Sequence, residues 1–214
     1  MSCIPTCDTG GLMKLYMSAG SPFARKALVC ALERGLGDRI ERERVALSPV
    51  TAHGELATQN PLMKVPVLVT DDGRAIYDSP VICEYLDAQG DAPRLIPSDP
   101  AERWQVLTLQ ALADGLLDAA IACRFENGLR PAELRWAAWT EGQSRKALQS
   151  LDRLQQEPLV YADTLHLGQI AVACALSWLE FRKPIGEVRA GRERLFDWSD
   201  AFARRSSMVA TRPE

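Results

Sequence analysis

The chain has 214 residues, of which 47% are hydrophobic, and its 25 Lys and Arg against 28 Asp and Glu give a formal net charge of −3. This is enough chain for one large domain or two small ones with a sizeable core. The small, scattered charge gives no electrostatic case for binding nucleic acid or an anionic membrane, and no apolar run reaches the roughly 18 residues of a membrane span.

The N-terminus and the cysteines indicate a cytoplasmic protein. Residues 1–12 lack the basic and apolar segments of a secretory signal and are predicted to form a disordered extension. The cysteines at 30, 83, 123 and 174 lie in apolar helical stretches, and only Cys3 and Cys7 are close in sequence. We therefore expect buried reduced thiols, and with His53 and His166 as the only histidines we expect no metal site.

The first part of the chain predicts a small α/β unit. Residues 14–17 form a short strand, and Pro22 begins a helix that is predicted over residues 22–34, with Gly35 as a natural stop. Residues 40–47 alternate between apolar and charged side chains, which is typical of an exposed edge strand. Residues 48–59 are polar, with one possible helical turn.

The stretch 60–86 predicts a strand, a tight turn, a second strand and a helix. Asp72-Gly73 separates VPVLVT from RAIY and is a strong hairpin signal. The residues DSP at 78–80 are those of a helix start, with proline near the first helical position and a capping residue before it. This part of the chain therefore ends as a hairpin followed by a helix, which completes a small α/β sandwich.

Pro66 is the unusual residue of this stretch. It opens an apolar strand, where proline is tolerated only at an edge or at the strand start. Its position after Val65 suggests a specific backbone geometry such as a cis bond, and the alternative is a trans proline that merely starts the strand. A cis bond would leave the Val65 amide and carbonyl free to pair with an extended peptide.

The chain after residue 100 predicts an all-helical domain. The predicted helices cover 103–127, 131–156, 167–181 and 191–205, and no convincing strand is present. The segment before them is rich in Gly, Pro and Asp, as linkers are. We therefore divide the chain into a disordered extension at 1–12, an α/β domain at 13–89, a linker at 90–100 and a helical domain at 101–214.

A small α/β domain with a strand-initial proline, followed by an all-α domain, resembles the glutathione S-transferase family. The resemblance covers nearly the whole chain and rests on SPFARKA at 21–27, NPLMKVPVL at 60–68, DSPVICEYLD at 78–87 and LHLGQIAVACALSWLEFR at 165–182. The SPFARK start, RFENGLRP at 124–131 and the residues from Trp198 onward most resemble bacterial members with serine in the active-site loop. The resemblance implies a thioredoxin-like first domain, an all-α second domain, glutathione as co-substrate and a homodimer.

The resemblance also implies where glutathione binds. It implies that the Val65-Pro66 bond is cis, that the Val65 backbone pairs with the cysteinyl part, and that Asp78 and Ser79 receive the γ-glutamyl end. A helix N-terminus suits such a carboxylate, since it offers free amides and a positive dipole end. Lys64 is a candidate for the glycyl carboxylate. The alternatives are a solvated surface lysine at 64 and a capping role alone for Asp78 or Ser79.

Ser21 is the predicted catalytic residue. It precedes Pro22 at the positive end of the first helix, where its hydroxyl can donate to the glutathione sulfur and favour the nucleophilic thiolate. The alternatives are a plain N-cap at Ser21, catalysis by Ser18, and Tyr16, whose place in a strand favours the core. A serine cannot form a mixed disulfide, so we expect addition to or substitution on an electrophile rather than thiol-disulfide exchange.

The second substrate is predicted to be a small hydrophobic electrophile bound between the domains, with Arg124, Phe125 and Arg130 as lining. The predicted function is therefore that of a glutathione transferase. Two alternatives stay open, a non-catalytic glutathione-binding or regulatory protein of the same fold and a glutathione-dependent thiol reductase. No nucleic acid or membrane partner is expected.

The start of the helix at 167–181 departs from the family pattern. Relatives carry Thr or Ser, then Leu, Ala and Asp, where this chain has His166-Leu167-Gly168-Gln169. Histidine is a poorer cap, and Gly168 in the first turn costs up to about 1 kcal/mol relative to alanine, although Gln169 can still reach back to the cap amide. We expect a less firmly capped helix, and a His166→Thr, Gln169→Asp variant that melts at a higher temperature.

Overall fold

The computed structural model describes residues 11–213. The predicted extension at 1–12, including Cys3 and Cys7, lies almost wholly outside the described residues. The described part begins with Gly11, whose amide donates to the Asp71 carboxylate at 3.0 Å.

Four short strands form one sheet in the first part of the chain. They are β1 (Met13–Met17), β2 (Ile40–Arg44), β3 (Val67–Val69) and β4 (Ala75–Ile76), in the order β2-β1-β3-β4. β1 and β2 run parallel because α1 (Pro22–Glu33) connects them, and the other two pairs are antiparallel. β2 is an edge strand, as predicted, but it ends at Arg44 rather than at residue 47 because its partner β1 ends at Met17.

The predicted hairpin between β3 and β4 is confirmed. The Thr70 amide donates to the Arg74 carbonyl at 2.9 Å, and Gly73 has a φ of 82°, in the left-handed region that favours glycine. α3 (Ser79–Gln89) follows β4 and carries its proline in the first turn, as expected. The helical turn expected within 48–59 is α2 (Gly54–Gln59).

The regular elements described after residue 100 are all helical. They are α4 (Pro100–Gly128), α5 (Ala137–Gln156), α6 (Leu167–Arg182), α7 (Glu193–Phe202) and α8 (Ser206–Val209). The single helix predicted at 191–205 is shorter and is followed by α8. The predicted helix start at Pro131 is wrong, because a 3-10 turn comes first and α5 begins only at Ala137. The buried Glu126 accounts for this, since its Oε1 accepts a hydrogen bond from the Trp136 amide at 2.9 Å.

The segment between α3 and α4 is tied to both halves of the chain. The Leu95 amide donates to the Asp87 carboxylate at 2.7 Å, and the Leu95 carbonyl accepts from the Leu167 amide at 2.9 Å. Asp87 is buried and pairs with the buried Arg34 at 3.2 Å, which joins α3 to α1. A linker at 90–100 fits these contacts, while the domain limits themselves stay a prediction.

Alternation along β1 sends side chains into two separate cores. Leu15 packs with Leu28 of α1 and with the helices beneath the sheet, while Tyr16 packs with Leu56 and Val67 on the opposite face. α6 is buried along nearly its whole length, because it contacts α1 as well as α4 and α7. The sheet and the helical half are therefore packed together around α6.

The start of α6 contradicts the expectation of a weak cap. His166 Nδ1 accepts from the Gln169 amide at 3.3 Å, and Gln169 Oε1 accepts from the His166 amide at 3.2 Å, so the capping box is complete. Gly168 lies close to α4, since a Cβ built there would come within 2.9 Å of Leu109 Cδ2. The glycine therefore permits close helix packing, and the expected penalty is not its main effect.

α4 is the one helix, among those described, that is long and apolar enough to cross a membrane. Half of its most apolar window is buried inside the protein, where α4 packs against α5 and α6. Such burial is what the core helix of a globular protein shows.

Candidate functional site

One end of the sheet collects the predicted binding residues. β1 pairs with β3 so that Tyr16 lies opposite Val67, which places the loop after Met17 beside the residues that precede β3. β4 pairs with β3 so that Ile76 lies opposite Leu68, which brings the start of α3 to the same end. The loop 18–21, Val65-Pro66 and Asp78-Ser79 therefore converge there, although they are far apart in sequence.

The Val65-Pro66 bond is cis, as predicted. Pro66 is buried, and no other residue within 11–213 hydrogen-bonds to the Val65 backbone. The preceding carbonyl, that of Lys64, accepts from the side-chain amide of Asn60 at 3.0 Å, while the Lys64 side chain is exposed and makes no ion pair with a described residue. The Val65 amide and carbonyl are thus available to an extended peptide.

The N-terminus of α3 is open to a ligand. Asp78 is exposed and makes no capping hydrogen bond with its side chain, whereas Ser79 is buried. The amides of Ser79 and Val81 lie in the first turn, where no earlier helical carbonyl can accept from them. The alternative in which Asp78 serves only as a side-chain cap therefore has no hydrogen bond to support it.

Ser21 is the N-cap residue of α1. Its Oγ accepts from the Ala24 amide at 3.2 Å, and its own amide donates to the Ser18 carbonyl at 3.1 Å. The cap occupies the oxygen as an acceptor and leaves the hydroxyl proton free to donate. Tyr16 is buried in the core beside Val67, which agrees with its lower rank as a catalytic residue.

An ion pair that the sequence patterns did not single out lies beside the site. Lys26 of α1 is 1% exposed, and its Nζ lies 2.7 and 2.5 Å from the two carboxylate oxygens of Asp114 on α4. Burial raises the pKa of Asp114, while Lys26 opposes the rise. Burial also raises the pKa of Asp118, one turn further along, where Lys64 opposes the rise and Asp78 adds to it.

Two sequence signals could have pointed to this cluster. Lys26 is a charged residue on the apolar face of α1, where an isolated lysine is rarely left unpaired. Asp114 and Asp118 are four residues apart, so they lie on one face of α4. Lys26 and Asp114 are 88 positions apart in the sequence, so no local pattern shows that they pair.

The described cysteines are buried away from solvent. Cys30, Cys83, Cys123 and Cys174 are free and buried, which confirms the prediction for these four. Cys174 lines a cavity of about 100 Å³ against the loop 18–21, and burial raises its pKa to about 11. Within residues 11–213, no group of three His, Cys, Asp or Glu side chains could hold a metal ion.

The predicted electrophile residues differ in their surroundings. Arg124 and Phe125, near the end of α4, are exposed. Arg130 is paired instead, since its Nε lies 2.7 Å from the Glu126 carboxylate. A residue that the sequence did not suggest, Arg182 at the end of α6, brings its Nη2 against the loop, within 2.5 Å of where a Cβ at Gly20 would lie.

Comparison with known proteins assigns the family. Residues 20–89 match the family model described as Glutathione S-transferase, N-terminal domain. The chain is 37% identical over 204 residues to the protein named Uncharacterized GST-like protein YibF of Escherichia coli K12, a match that covers 94% of this chain and 98% of that protein.

Solved structures agree with this assignment. A glutathione transferase family member from Pseudomonas fluorescens Pf-5, with bound glutathione, has a TM-score of 0.91 and 40% identity and covers 94% of this chain and 99% of that one. A second structure from the same organism, with bound S-(propanoic acid)-glutathione, has a TM-score of 0.87 and 39% identity over 94% of this chain and 100% of that one. The chain therefore belongs to the glutathione S-transferase family.

Proposed function

We propose that the protein is a glutathione transferase that binds glutathione and stabilises its thiolate for attack on a small electrophile. The observation that carries this proposal is the Ser21 hydroxyl at the N-terminus of α1. Its oxygen accepts from the Ala24 amide at 3.2 Å, and that bond polarises the hydroxyl toward donation to a third atom. A sulfur anion in front of the helix would gain this hydrogen bond and the favourable end of the helix dipole.

Glutathione binding rests on the open groups around the loop. The Val65 backbone would pair with the cysteinyl residue, and the α3 amides with Ser79 would hold the γ-glutamyl carboxylate. The exposed Asp78 carboxylate would pair with the ammonium of the same residue, and Lys64 with the glycyl carboxylate. The bound glutathione of the similar Pseudomonas fluorescens protein supports this assignment.

The chemistry needs a thiolate, because a thiol with a pKa of about 8.5 is only a few per cent ionised at neutral pH. In the proposed reaction the cysteinyl sulfur loses its proton to solvent and attacks the electrophilic carbon. A carbon–sulfur bond forms, and the leaving group departs with the electron pair of the bond that breaks. Each unit by which the site lowers the thiol pKa corresponds to about 1.4 kcal/mol of thiolate stabilisation.

Different residues bear on the two alternative functions, the thiol reductase and the non-catalytic binding protein. A thiol reductase needs a reactive cysteine in the loop, and the position before Pro22 holds Ser21, while the pKa of Cys174 is raised to about 11 by burial. A non-catalytic binding protein would keep the Val65 and Asp78 sites and lack turnover. The second Pseudomonas fluorescens structure holds glutathione with a group on its sulfur, which supports conjugation for this chain.

The test combines affinity for immobilised glutathione with a conjugation assay. Ser21→Ala should keep glutathione binding and lose about 10–100-fold in turnover, because one charge-assisted hydrogen bond to the thiolate is removed. Ser21→Thr, which retains a hydroxyl and a cap, should recover most of the rate. The ultraviolet absorbance of the thiolate should show a higher pKa for bound glutathione in the alanine variant.

Other outcomes point elsewhere. Turnover unchanged by Ser21→Ala but lost in Ser18→Ala would move the catalytic role to Ser18. Binding without turnover by the wild type would favour the non-catalytic protein. From its family, we also propose that the protein is a cytoplasmic homodimer with a detoxification role in a bacterium. Measurement of its molecular mass in solution tests whether it is a dimer.

A further inference from the structure

Two arginines near the ends of α4 and α6 have no acidic partner among the described residues. Arg182 is the last residue of α6, and Arg124 lies in the last two turns of α4. Within residues 11–213, neither side chain makes an ion pair or a side-chain hydrogen bond. The guanidinium carbon of Arg182 lies 4.3 Å from the centroid of the Phe181 ring, a cation–π contact.

Arg182 lies against the loop that carries Ser21. Its Nη2 lies against Gly20, next to Ser21, at a distance that leaves no room for a side chain at position 20. The Gly20 carbonyl accepts from Trp178 Nε1 at 3.0 Å, one helical turn before Arg182, so α6 supports both the loop and the arginine. The guanidinium therefore lies beside the loop residue that precedes Ser21.

The two guanidinium groups repel each other. α4, which carries Arg124, packs against α6, which ends at Arg182, and both arginines lie near the C-terminal ends of their helices. Burial lowers the pKa of Arg182, and the positive charge of Arg124 lowers it further. The acidic side chains nearest in sequence are occupied, since Glu126 pairs with Arg130 at 2.7 Å and Glu180 pairs with Arg189 at 2.5 Å. An anion placed between Arg124 and Arg182 would satisfy both.

We propose that Arg124 and Arg182 select an electrophile that carries a carboxylate a few bonds from the reacting carbon. This inference rests on the proposed transferase function and narrows its substrate class. A planar guanidinium matches a carboxylate with two parallel hydrogen bonds, and two of them would orient the chain that bears the reacting carbon. In a 3-halopropanoate, for example, the thiolate forms the carbon–sulfur bond while the carbon–halogen bond breaks and the halide leaves with its electron pair.

The test is a binding comparison that needs no turnover. It uses S-(2-carboxyethyl)glutathione and S-(2-carbamoylethyl)glutathione, which have nearly the same shape and differ in charge, and measures both by titration calorimetry. The wild type should bind the carboxylate about 3–10-fold more tightly, a range set by a partly exposed charge-assisted contact. Arg182→Gln and Arg124→Gln should each reduce this ratio toward one.

Arg204→Gln is the matched control. Arg204 is exposed, and its neighbour Arg205 pairs with Glu33 at the other end of α1, so the substitution removes the same charge far from the loop. The control should leave the ratio unchanged. Unmodified glutathione should bind equally well to all four proteins, which also shows that each variant is folded.

Three results would overturn the inference. Equal affinity of the wild type for both ligands would show that the arginines do not select a carboxylate. Weaker binding of unmodified glutathione in Arg182→Gln or Arg124→Gln would assign the arginines to the glycyl carboxylate instead. Failure of the wild type to bind any of the three ligands would refute the proposed function, and the inference would fall with it.

Discussion

The capping of α6 provides a sharp test of what holds the start of this buried helix in place. Gln169 is 3% exposed, and its Nε2 donates to the Ala162 carbonyl at 2.7 Å and to the Val160 carbonyl at 3.2 Å. Its Oε1 accepts from the His166 amide. Gln169→Glu keeps the shape and the acceptor but turns the donor into an oxygen that faces two carbonyl oxygens.

The magnitude follows from these contacts. Two hydrogen bonds of about 1 kcal/mol each are lost, and leaving the buried carbonyls without a donor adds to this cost. The new negative charge lies in the first turn of α6, where its interaction with the helix dipole offsets about 0.3–1 kcal/mol of this loss in stability. We expect the free energy of unfolding to fall by about 2–4 kcal/mol, with a melting temperature lower by roughly 5–10 °C.

The assay is urea unfolding followed by circular dichroism, with Gln149→Glu as the control. Gln149 is exposed on α5 between Arg145 and Arg153, so the same substitution there should change stability by less than about 0.5 kcal/mol. Equal effects of the two substitutions would refute the reasoning. For the same reason we now expect His166→Thr, Gln169→Asp to melt at a lower temperature, the reverse of the expectation from sequence.

Three further predictions concern charge. Lys26→Met should destabilise the protein by about 2–4 kcal/mol in urea, since it leaves the Asp114 carboxylate buried without its partner, and Lys26→Met with Asp114→Leu should recover most of the loss. Burial lowers the pKa of His166 from its ordinary 6.5, so the unfolded chain takes up the proton first and stability should fall as the pH drops below about 6.5. Thermal melts of His166→Asn should show a smaller fall, and equal falls would contradict this. Asp78→Ala should weaken glutathione binding about tenfold and leave the melting temperature nearly unchanged, because Asp78 makes no capping bond; a large thermal shift would contradict this.

Local chemistry was sufficient to predict the segments around β3, β4 and α3. Asp72-Gly73 specifies its turn through a residue that tolerates positive φ, and Ser79-Pro80 specifies a helix start, so neither depends on distant contacts. The start of α5 could not be predicted in this way. Proline at 131 permits a helix there, but the Glu126 carboxylate binds the Trp136 amide, and that bond depends on how α4 packs.

The residues of the candidate site also fall into two groups, those that a local motif predicts and those that depend on distant packing. Ser21, Val65, Pro66 and Asp78 belong to short motifs whose geometry is local, and strand pairing brings them together. Arg182 reaches the loop only because α6 packs under α1, and nothing at the end of its helix marks it as part of a site. The weak cap expected at His166 was wrong for a related reason, since the Gln169 side chain finds its partners in the preceding turn, at Val160 and Ala162.

The acidic and basic residues along α4 lie toward opposite ends of the proposed site, which would orient a bound ligand. Asp114 and Asp118 lie toward Asp78, while Arg124 lies toward Arg182, and the six residues from Asp118 to Arg124 span about 9 Å of helix axis. In the proposed complex, the γ-glutamyl ammonium would meet the acidic end, and the thiolate with its electrophile would meet the basic end. Ser21 would then donate a hydrogen bond to the sulfur. In this proposal the charges of α4 orient glutathione and its electrophile, and the start of α1 stabilises the thiolate.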